Sequence, residues 1–518
     1  MGKTSIGTPA RPKGRSLSDF EPLRPDERKL LRACAYGSHP GRGAVGPFRA
    51  GFIRFLLLGG DEQAPVHEEG VKLVGADIEG LLDFSGCMVP NPIMLIDCRF
   101  DDGIRCRDTS VVSLALSGSK VKFLDAERMR CAGEVRLNNR FTARESVDLN
   151  RSILHGDLYF DAAVLSGGGV RPALDLSKTR VGGTVYFSDR FRADTTVRLA
   201  RAQIGGNLVI YNAEFRAGGL SNFAIEAHEL EVGGTLIFRP SVVEGGISVA
   251  NARANALNDA AGSWSPPLVL DGFVYDRLVE APTAARMRIP WLLMQEANGA
   301  PFVPQPWEHL YRVLRDSGHG REATRVAMAK QRQRRLRGLV GHRETRKVPF
   351  LVGVTNRFLN QLERIAHRLY GAVAGYGHRK VQGALLAALT VWLAAAALFA
   401  VGNGYFGPSD NSLVAKREQW HCGYSGEPGK RPWTQCPSIP PEYARFQPLM
   451  YSADLILPFL DLQQERYWAP IVADQTGGPL ERGRLLRVLM WMEILFGWGV
   501  VGYLVSLIGK LASREPVG

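Results

Sequence analysis

Glycine followed by alternating apolar residues recurs through the first half of the chain. Each copy has an aliphatic residue, one or two glycines, and apolar residues at every second position. Copies from Leu154 onward begin 27, 23, 28 and 12 residues apart. Short strands separated by glycine-containing turns predict a β-solenoid over residues 70–255. We expect its glycines to stack at one corner, where the backbone angles are unfavourable for other residues. The copies are IEGLLDF at Ile78, CAGEVRL at Cys131, LHGDLYF at Leu154, VGGTVYF at Val181, IGGNLVI at Ile204, VGGTLIF at Val232 and EGGISVA at Glu244.

The apolar spacing becomes helical after residue 300. It predicts a helix over 306–316, a turn at 317–320 and a second helix over 321–337, a hairpin that we expect to cap the strands. The apolar face of the first helix carries Trp307, Leu310, Tyr311 and Leu314. A further face, typical of an interfacial helix, carries Phe358, Leu362, Ile365 and Leu369. Residues 301–380 are therefore predicted to be a basic helical hairpin and interfacial helix.

Two long apolar runs follow. Residues 381–402 contain no charge, and residues 488–509 contain one, Glu493. At about 1.5 Å per residue, each run covers the roughly 30 Å of a bilayer's hydrocarbon core. We predict transmembrane helices at 381–402 and 485–510, an exterior loop at 403–484 and a cytosolic tail at 511–518.

A shorter apolar segment, FQPLMYSADLILP, lies in this exterior loop. Pro448 suits a first helical turn and Pro458 ends the helix, so the segment predicts a re-entrant-like half-helix. Such a helix persists at membrane depth only where other helices shelter it or where it lines water. The alternative is an amphipathic helix on the outer leaflet.

Polar residues around this half-helix are the candidate pore residues. Acidic side chains from several subunits would form a ring that favours cations. Because an acid within a span is costly, Glu493 requires a water-filled cavity or a partner, for which Arg487 is within reach. The candidates are Tyr451, Ser452, Asp454, Pro458, Asp461, Glu465 and Glu493.

Charge predicts the orientation. The net charge is +13, and residues 301–380 contain 17 Lys plus Arg against 5 Asp plus Glu, a net of +12. This excess before the first span places both termini in the cytoplasm. No apolar stretch follows the first basic residues, so we expect no signal peptide. A cluster that favours anionic lipid or an acidic partner over nucleic acid consists of Arg332, Arg334, Arg335 and Arg337.

Cysteine usage agrees with this orientation. Cys422 and Cys436 lie in the exterior loop, where an oxidising compartment favours a disulfide. Two unpaired thiols or half of a metal site are the alternatives. The other five cysteines have irregular spacing, typical of buried or inert thiols.

The remaining segments carry little visible chemistry. Residues 1–69 are predicted to be a basic and helical segment, and 256–300 a linker. Acidic residues are scattered along the strands, and His155 and His228 lack a second ligand at metal spacing. We therefore expect no metal and no cofactor, and we favour a non-enzymatic protein.

Short triplets between the glycine phrases, ADI, LDF, VDL and LDL, resemble those of pentapeptide-repeat proteins. That resemblance implies a right-handed quadrilateral β-helix. Phe446, Leu449, Tyr451 and Ser452 resemble the opening of the pore helix in potassium-channel-like proteins. The chain has LPFLDLQQ where that family has its Thr-Val-Gly-Tyr-Gly filter, so potassium selectivity through backbone carbonyls is not implied.

The whole chain resembles bacterial β-helix proteins with two spans, a group sometimes labelled membrane-associated oxidoreductases. The resemblance implies a multi-pass protein of the bacterial inner membrane. We expect a cytosolic domain that senses or binds a partner, either a protein or a small molecule. We expect this domain to be coupled to a homo-oligomeric pore-like unit among membrane lipids. A membrane-anchored scaffold without conduction is the alternative. An oxidoreductase or other enzyme is a further one, although no flavin, nicotinamide, haem or iron–sulfur motif supports it.

Overall fold

The computed structural model describes residues 16–40, 46–169, 171–218, 221–340, 350–374, 381–409, 421–437, 439–440, 443–474 and 477–512. The chain divides into an N-terminal unit, Met1–Arg337, and a C-terminal unit, Gly338–Gly518. The N-terminal unit is built on parallel strands, and the C-terminal unit is mostly helical.

Parallel strands of the N-terminal unit form three sheets. The first sheet contains Phe48–Arg49, Asp77–Glu79, Arg99–Phe100, Lys120–Val121, Thr142–Ala143, Val164–Leu165, Arg192–Ala193, Glu214–Arg216 and Val242–Glu244. The second contains Leu82–Asp83, Ile104–Arg105, Leu124–Asp125, Val147–Asp148, Leu174–Asp175, Val197–Arg198, Phe223–Glu226, Gly246–Ser248 and Leu268–Val269.

The third sheet has two rows of strands that meet at the long strand Glu231–Arg239. One row contains Val71–Val74, Ile93–Ile96, Leu114–Ala115, Val135–Arg136, Leu158–Tyr159, Val185–Phe187 and Leu208–Tyr211. The other contains Ser110–Val111, Arg130–Cys131, Ile153–Leu154, Arg180–Val181 and Gln203–Ile204. Arg253–Asp259 and Val274–Leu278 continue the sheet beyond the long strand.

Successive strands lie in different rows, and between residues 99 and 216 every fourth strand returns to the same row. Lys120 thus pairs with Thr142, and Thr142 pairs with Val164. The predicted parallel strands are confirmed. Side chains alternate between buried and exposed along them, and the buried ones form one continuous apolar core.

Register explains the irregular spacing of the glycine phrases. Leu154 pairs with Val181, Val181 with Ile204, and Ile204 with Val232, all in the third sheet. Glu244, the start of the last phrase, instead belongs to the first sheet. Its interval of 12 residues is therefore a step between rows of strands and not a return to the same row.

The glycines do stack, but for a reason other than the predicted one. A Cβ on Gly205 would lie 2.5 Å from the Gly182 carbonyl oxygen, and a Cβ on Gly233 would lie 2.5 Å from that of Gly205. None of these three glycines has a positive φ, whereas Arg151 (58°) and Arg201 (59°) at another corner do. Glycine is needed here because neighbouring backbones approach closely, not because the backbone is left-handed.

Two helices, α1 (Pro25–Ala35) and α2 (Ala50–Leu57), precede the main run of strands. Phe48–Arg49 pairs with the strand at Ile78, so pairing begins within the segment predicted as 1–69. Arg49 donates to Glu27 through Nε at 2.9 Å and to the Phe20 carbonyl at 2.6 Å. Burial raises the pKa of the Glu27 carboxyl, but the hydrogen bonds from Arg49 and from the Arg24 N–H outweigh burial and hold this pKa below its ordinary value. The ion pair and the buried face of α2 tie this segment to the strands.

Residues 256–300 are not the predicted linker. They contain the strands Leu268–Val269 and Val274–Leu278, the helix α3 (Ala285–Leu293) and the 3-10 helix Met294–Gly299. Their apolar side chains extend the core, which is why the segment is ordered. Those buried within it are Leu257, Trp264, Leu268, Leu270, Phe273, Tyr275, Trp291 and Leu292.

The helical hairpin forms as its periodicity predicts, with α4 at Gln305–Asp316 and α5 at Gly320–Leu336. The Nε2 atom of His309 lies 3.0 Å from the backbone nitrogen of Tyr275, and burial lowers the pKa of this imidazole. Gln305 Oε1 accepts from the backbone N–H of Gly272 at 3.1 Å. The hairpin therefore covers the last strand.

The C-terminal unit contains α6 (Phe350–Ala374), α7 (Val381–Val401), α8 (Pro448–Ile456), α9 (Gln464–Tyr467) and α10 (Glu481–Ala512). Two small sheets pair Phe406–Pro408 with Trp468–Pro470 and Cys422–Gly423 with Arg431–Pro432. The remaining short elements among the described residues are the 3-10 helices Leu17–Phe20 in the N-terminal unit and Asn403–Tyr405 and Trp433–Gln435 in the C-terminal unit.

Among the described residues, one helix, Glu481–Ser506, is long and apolar enough to cross a membrane. Leu385–Val401, the part of α7 whose side chains are described, is a shorter apolar helix.

Candidate functional site

The half-helix α8 packs between α7 and α10. On one side, the indole N–H of Trp392 donates to the Leu449 carbonyl at 3.0 Å. On the other, a Cβ on Gly497 would lie 2.3 Å from the Ile456 carbonyl oxygen, so only glycine allows α10 to come this close. The short helix is enclosed by two helices of its own chain.

Proline marks both ends of α8, as the sequence predicts. Pro448 occupies the first turn, and the last helical residue is Ile456, two positions before Pro458. Pro458 is half-buried and lines a cavity beyond the helix end. Its position follows from backbone chemistry, because proline cannot continue the helix.

Tyr451 lies at the centre of an aromatic cluster. Its ring centroid is 5.2 Å from that of Phe399, 5.1 Å from that of Phe406 and 5.4 Å from that of Phe446. Its hydroxyl donates to the sulfur of Met490 in α10 at 3.1 Å. Tyr451 thus connects α7, α8 and α10, and its position is that of a packing residue.

Ser452 and Glu493 meet inside this enclosure. Both are buried, and Ser452 Oγ is hydrogen-bonded to Glu493 Oε1. The same Oγ lies 3.1 Å from the carbonyl oxygen of Trp392. The partner we expected, Arg487, instead donates to the Pro470 carbonyl at 2.7 Å.

Asp454 is engaged by the chain itself. Its Oδ1 accepts from the backbone N–H of Leu462 at 2.7 Å, and its Oδ2 accepts from that of Glu465 at 2.9 Å. The carboxylate is buried. It folds the polar turn back onto the half-helix, so its role here is to fix that turn.

Asp461 and Glu465 are the exposed acids of the turn. They line a cavity of about 560 Å³ together with Asp454, Arg466 and Trp498. Partial burial raises the pKa of the Glu465 carboxyl, and the negative charges of Asp454 and Asp461 raise it further. The structure therefore brings three of the predicted acids to one cavity, two of them with exposed side chains.

Several residues that hold this turn were not among the predicted site residues. The side chain of Gln464 accepts from the Gln447 N–H at 3.0 Å and donates to the Arg445 carbonyl at 3.3 Å. The indole N–H of Trp468 donates to the Ala444 carbonyl at 2.7 Å. The sequence signal was weak, since Trp468 next to Tyr467 also fits an aromatic pair at a membrane interface, and a glutamine in a polar turn has no distinctive pattern.

The segment between α7 and α8 contains a disulfide between Cys422 and Cys436, whose Cα atoms are 5.8 Å apart. Inside the loop that it closes, Trp433 is buried and Lys430 pairs with Glu427 at 2.9 Å. Residues 410–420, 438 and 441–442 of this segment lie outside the described residues.

The predicted basic cluster lies at the end of α5. Arg332 and Arg337 are exposed, and Arg334 and Arg335 are half-buried. In α6, Phe358, Leu362 and Ile365 expose an apolar face as predicted, and the side chain of Leu369 lies outside the described residues.

Four thiols of the N-terminal unit, among them Cys98 and Cys131, are buried. Burial raises the pKa of both of these thiols to about 11, so neither is a thiolate at neutral pH. His155 follows the strand Ile153–Leu154 of the third sheet, and His228 follows the strand Phe223–Glu226 of the second sheet. Within the described residues, no group of three or more His, Cys, Asp or Glu could hold a metal ion. No protein-family model, curated protein or solved structure matches this chain.

Proposed function

We propose that the chain is an integral membrane protein of the bacterial inner membrane, in which a cytosolic β-solenoid is coupled to a homo-oligomeric, two-span pore unit. The solenoid part is supported by the strand order. A chain that returns to the same row every fourth strand, always in parallel, winds through four rows per coil. Such crossovers are right-handed in the great majority of proteins.

Exposed apolar side chains support the two spans. Outside the contacts with α8, both α7 and α10 present large apolar residues to their surroundings, and residues 381–384 of α7 contribute further uncharged positions. Such a surface is stable in lipid or against other copies of the chain. The exposed residues are Leu385, Leu386, Leu389, Leu393, Leu398 and Val401 in α7, and Leu485, Val488, Trp491, Met492, Leu495, Trp498 and Val505 in α10.

The enclosure of α8 carries the pore proposal. A broken helix at membrane depth needs partners for the backbone groups at its ends. Gln464 Oε1 accepts from the Gln447 N–H at the start, and Asp454 holds the turn that follows the end. The helices α7, α8 and α10 then form one unit. Because two spans cannot enclose a channel alone, several copies of the chain would surround the conduit.

Exposed acids at the turn give the expected selectivity. Asp461 and Glu465 from each copy would favour cations at the mouth, whereas Asp454 is already occupied by backbone N–H groups. The basic end of α5 and the apolar face of α6 would contact anionic lipid on the cytoplasmic side, at about 1 kcal/mol per basic residue.

Conductance of the purified full chain in planar bilayers tests the proposal. We expect cation-selective currents, and we expect Asp461→Asn with Glu465→Gln to lower the cation-to-anion permeability ratio several-fold. Glu363→Gln, at an exposed acid of α6, is the matched control and should leave the ratio unchanged. Unchanged selectivity in the double variant would remove both acids from the pore.

A membrane-anchored scaffold is the second candidate. The observation that favours it is the internal satisfaction of Asp454, since a carboxylate whose two oxygens accept from its own turn is held in a structural role and is not free to coordinate an ion directly. Bilayers that stay silent while the protein remains an intact oligomer would establish this alternative over the pore.

A further inference from the structure

An apolar groove of about 470 Å³ runs between α7, α8 and α10 in the C-terminal unit. Its α7 wall is formed by Leu385, Ala388, Leu389 and Trp392, whose spacing places them on one face of the helix. From the first to the last of these residues, the helix rises by about 10 Å. The groove is therefore long enough for a stretch of hydrocarbon chain.

The side chains that line this groove are all apolar. Those outside α7 belong to α8, to the turn that follows it and to α10, and they include Ile456, Phe459 and Leu504. The indole N–H of Trp392 is the hydrogen-bond donor among the lining side chains, and it already donates to the Leu449 carbonyl at 3.0 Å. A polar occupant would gain neither a free donor nor a charge from these side chains, so the groove selects an apolar occupant.

The groove lies toward the start of α7 and the end of α10. Leu385 is the fifth residue of α7 (Val381–Val401), and Leu504 is in the last third of α10 (Glu481–Ala512). In the orientation that we propose, these ends of the two helices face the cytoplasm. The chain before α7 is strongly basic, since residues 338–380 contain 8 Lys plus Arg against 2 Asp plus Glu. The groove therefore belongs to the leaflet that this basic segment adjoins.

This charge distinguishes between two apolar occupants, a second copy of the chain and a lipid. Copies that surround a pore are related by an axis along the membrane normal, so each copy brings its basic segment to the same leaflet. A second copy would thus add positive charge beside the groove. An anionic lipid instead places a negative headgroup at that surface while its acyl chain enters the groove.

We infer that the groove holds an acyl chain of an anionic phospholipid from the cytoplasmic leaflet. The acyl chain contacts Ile456 at the end of α8 and Phe459 in the turn, so the lipid supports the half-helix from its cytoplasmic side. This inference rests on the proposed function, because the groove lies at membrane depth only when α7 and α10 span the bilayer.

Photolabelling of the full chain in phosphatidylcholine vesicles tests the inference. The probe is a trace of phosphatidylglycerol that carries a diazirine on one acyl chain, and mass spectrometry identifies the labelled residues. We expect label on the groove residues of α7 and α8 as well as on the exposed face of α10. Added phosphatidylglycerol should displace the groove label at several-fold lower mole fraction than added phosphatidylethanolamine, which is zwitterionic. Equal displacement by the two lipids would overturn the inference.

Filling the groove tests where the lipid binds. Ala388→Phe adds a ring to the groove wall and should reduce the groove label several-fold. Ala394→Phe, at an exposed alanine of α7 outside the groove, is the matched control and should not reduce it. A groove label that survives Ala388→Phe would contradict the inference. If Ala388→Phe fails to fold, the displacement by the two lipids still decides.

Removing positive charge before α7 tests the headgroup. Arg379→Gln with Lys380→Gln should bring the displacement by phosphatidylglycerol and by phosphatidylethanolamine close together. Arg431→Gln with Arg445→Gln removes the same charge from exposed positions between α7 and α8, and it should leave the preference intact. A preference that is lost only in this second pair would overturn the inference.

The distribution of label separates this inference from the proposed function. Label on α10 without any in the groove would mean that another part of the protein fills the groove, and it would overturn this inference alone. Absence of label from both α7 and α10 would remove the two spans as well. A groove label in a protein that does not conduct would support the lipid site and contradict only the pore.

Discussion

The two units place similar apolar side chains in opposite surroundings. Phe187 in the N-terminal unit is 0% exposed, and its ring packs 5.2 Å from Phe160 and 4.8 Å from Phe191. Leu495 in α10 is 67% exposed. The strands bury their own apolar side chains, whereas the final helix leaves many of its apolar side chains exposed in the single chain. An apolar run therefore predicts that its side chains need apolar surroundings, but it does not identify those surroundings.

Buried charge differs between the units in the same way. Asp259 uses both carboxylate oxygens on Arg288 and Trp264, so its site is complete within the chain. Glu493 bonds to Ser452 through Oε1, but its Oε2 is buried without a partner in the described part of the chain. Glu493 is thus less completely paired than Asp259.

Cavity formation gives the sharpest test of this contrast. Phe187→Ala should destabilise the N-terminal unit by about 3 to 5 kcal/mol, because it empties a fully packed position. Leu495→Ala should cost much less, because that side chain has little protein around it in a single chain. Urea unfolding in detergent, followed by circular dichroism, measures both. Equal losses would mean that α10 is as closely packed as the strands.

Close backbone approach is the feature that the units share. Gly497→Ala would push α10 away from the Ile456 carbonyl, and we expect a loss of about 1 to 3 kcal/mol. Gly499→Ala is the matched control, since a Cβ there has no neighbour within 4 Å. Thermal unfolding and limited proteolysis of α8 compare the two. A similar result for both variants would show that α8 is not enclosed by α10.

The smallest expected effect concerns an acidic ladder on the second sheet. Asp148 pairs in register with Asp125 on one side and Asp175 on the other. Burial raises the pKa of the Asp148 carboxyl, and the two neighbouring aspartates raise it further, although a hydrogen bond from Asn150 opposes them. The folded state therefore holds this proton more tightly than the unfolded chain, and stability falls as pH rises above the ordinary pKa of 3.8.

Asp148→Asn should accordingly stabilise the N-terminal unit slightly at neutral pH and change nothing below pH 3.8. The amide oxygen can still accept from Asn150, so the backbone contact is kept. Asp175→Asn is the comparison, because it takes a carboxylate from Arg198, which lies 3.8 Å away. Thermal unfolding at several pH values measures the difference, and a gain that persists in acid would contradict its electrostatic origin.

The sequence by itself determined the local elements. Period-two patterning marked the parallel strands, helical spacing marked α4 and α5 to within a residue or two, and the prolines at Pro448 and Pro458 bracketed α8. Each of these signals depends only on residues that are close in sequence, so it can be recognised without the tertiary structure. The sequence failed at 256–300, where short strands and scattered aromatic residues lacked a clear period.

Only the tertiary structure decided the partners. Ser452 and Glu493 are 41 residues apart, and Asp259 and Arg288 are 29 apart, so no local pattern joins them. Arg487 was near enough to Glu493 in sequence to be expected, yet it bonds to a carbonyl before α10. Partner choice depends on how rows of strands and helices align in space, and that alignment is set by packing over the whole unit.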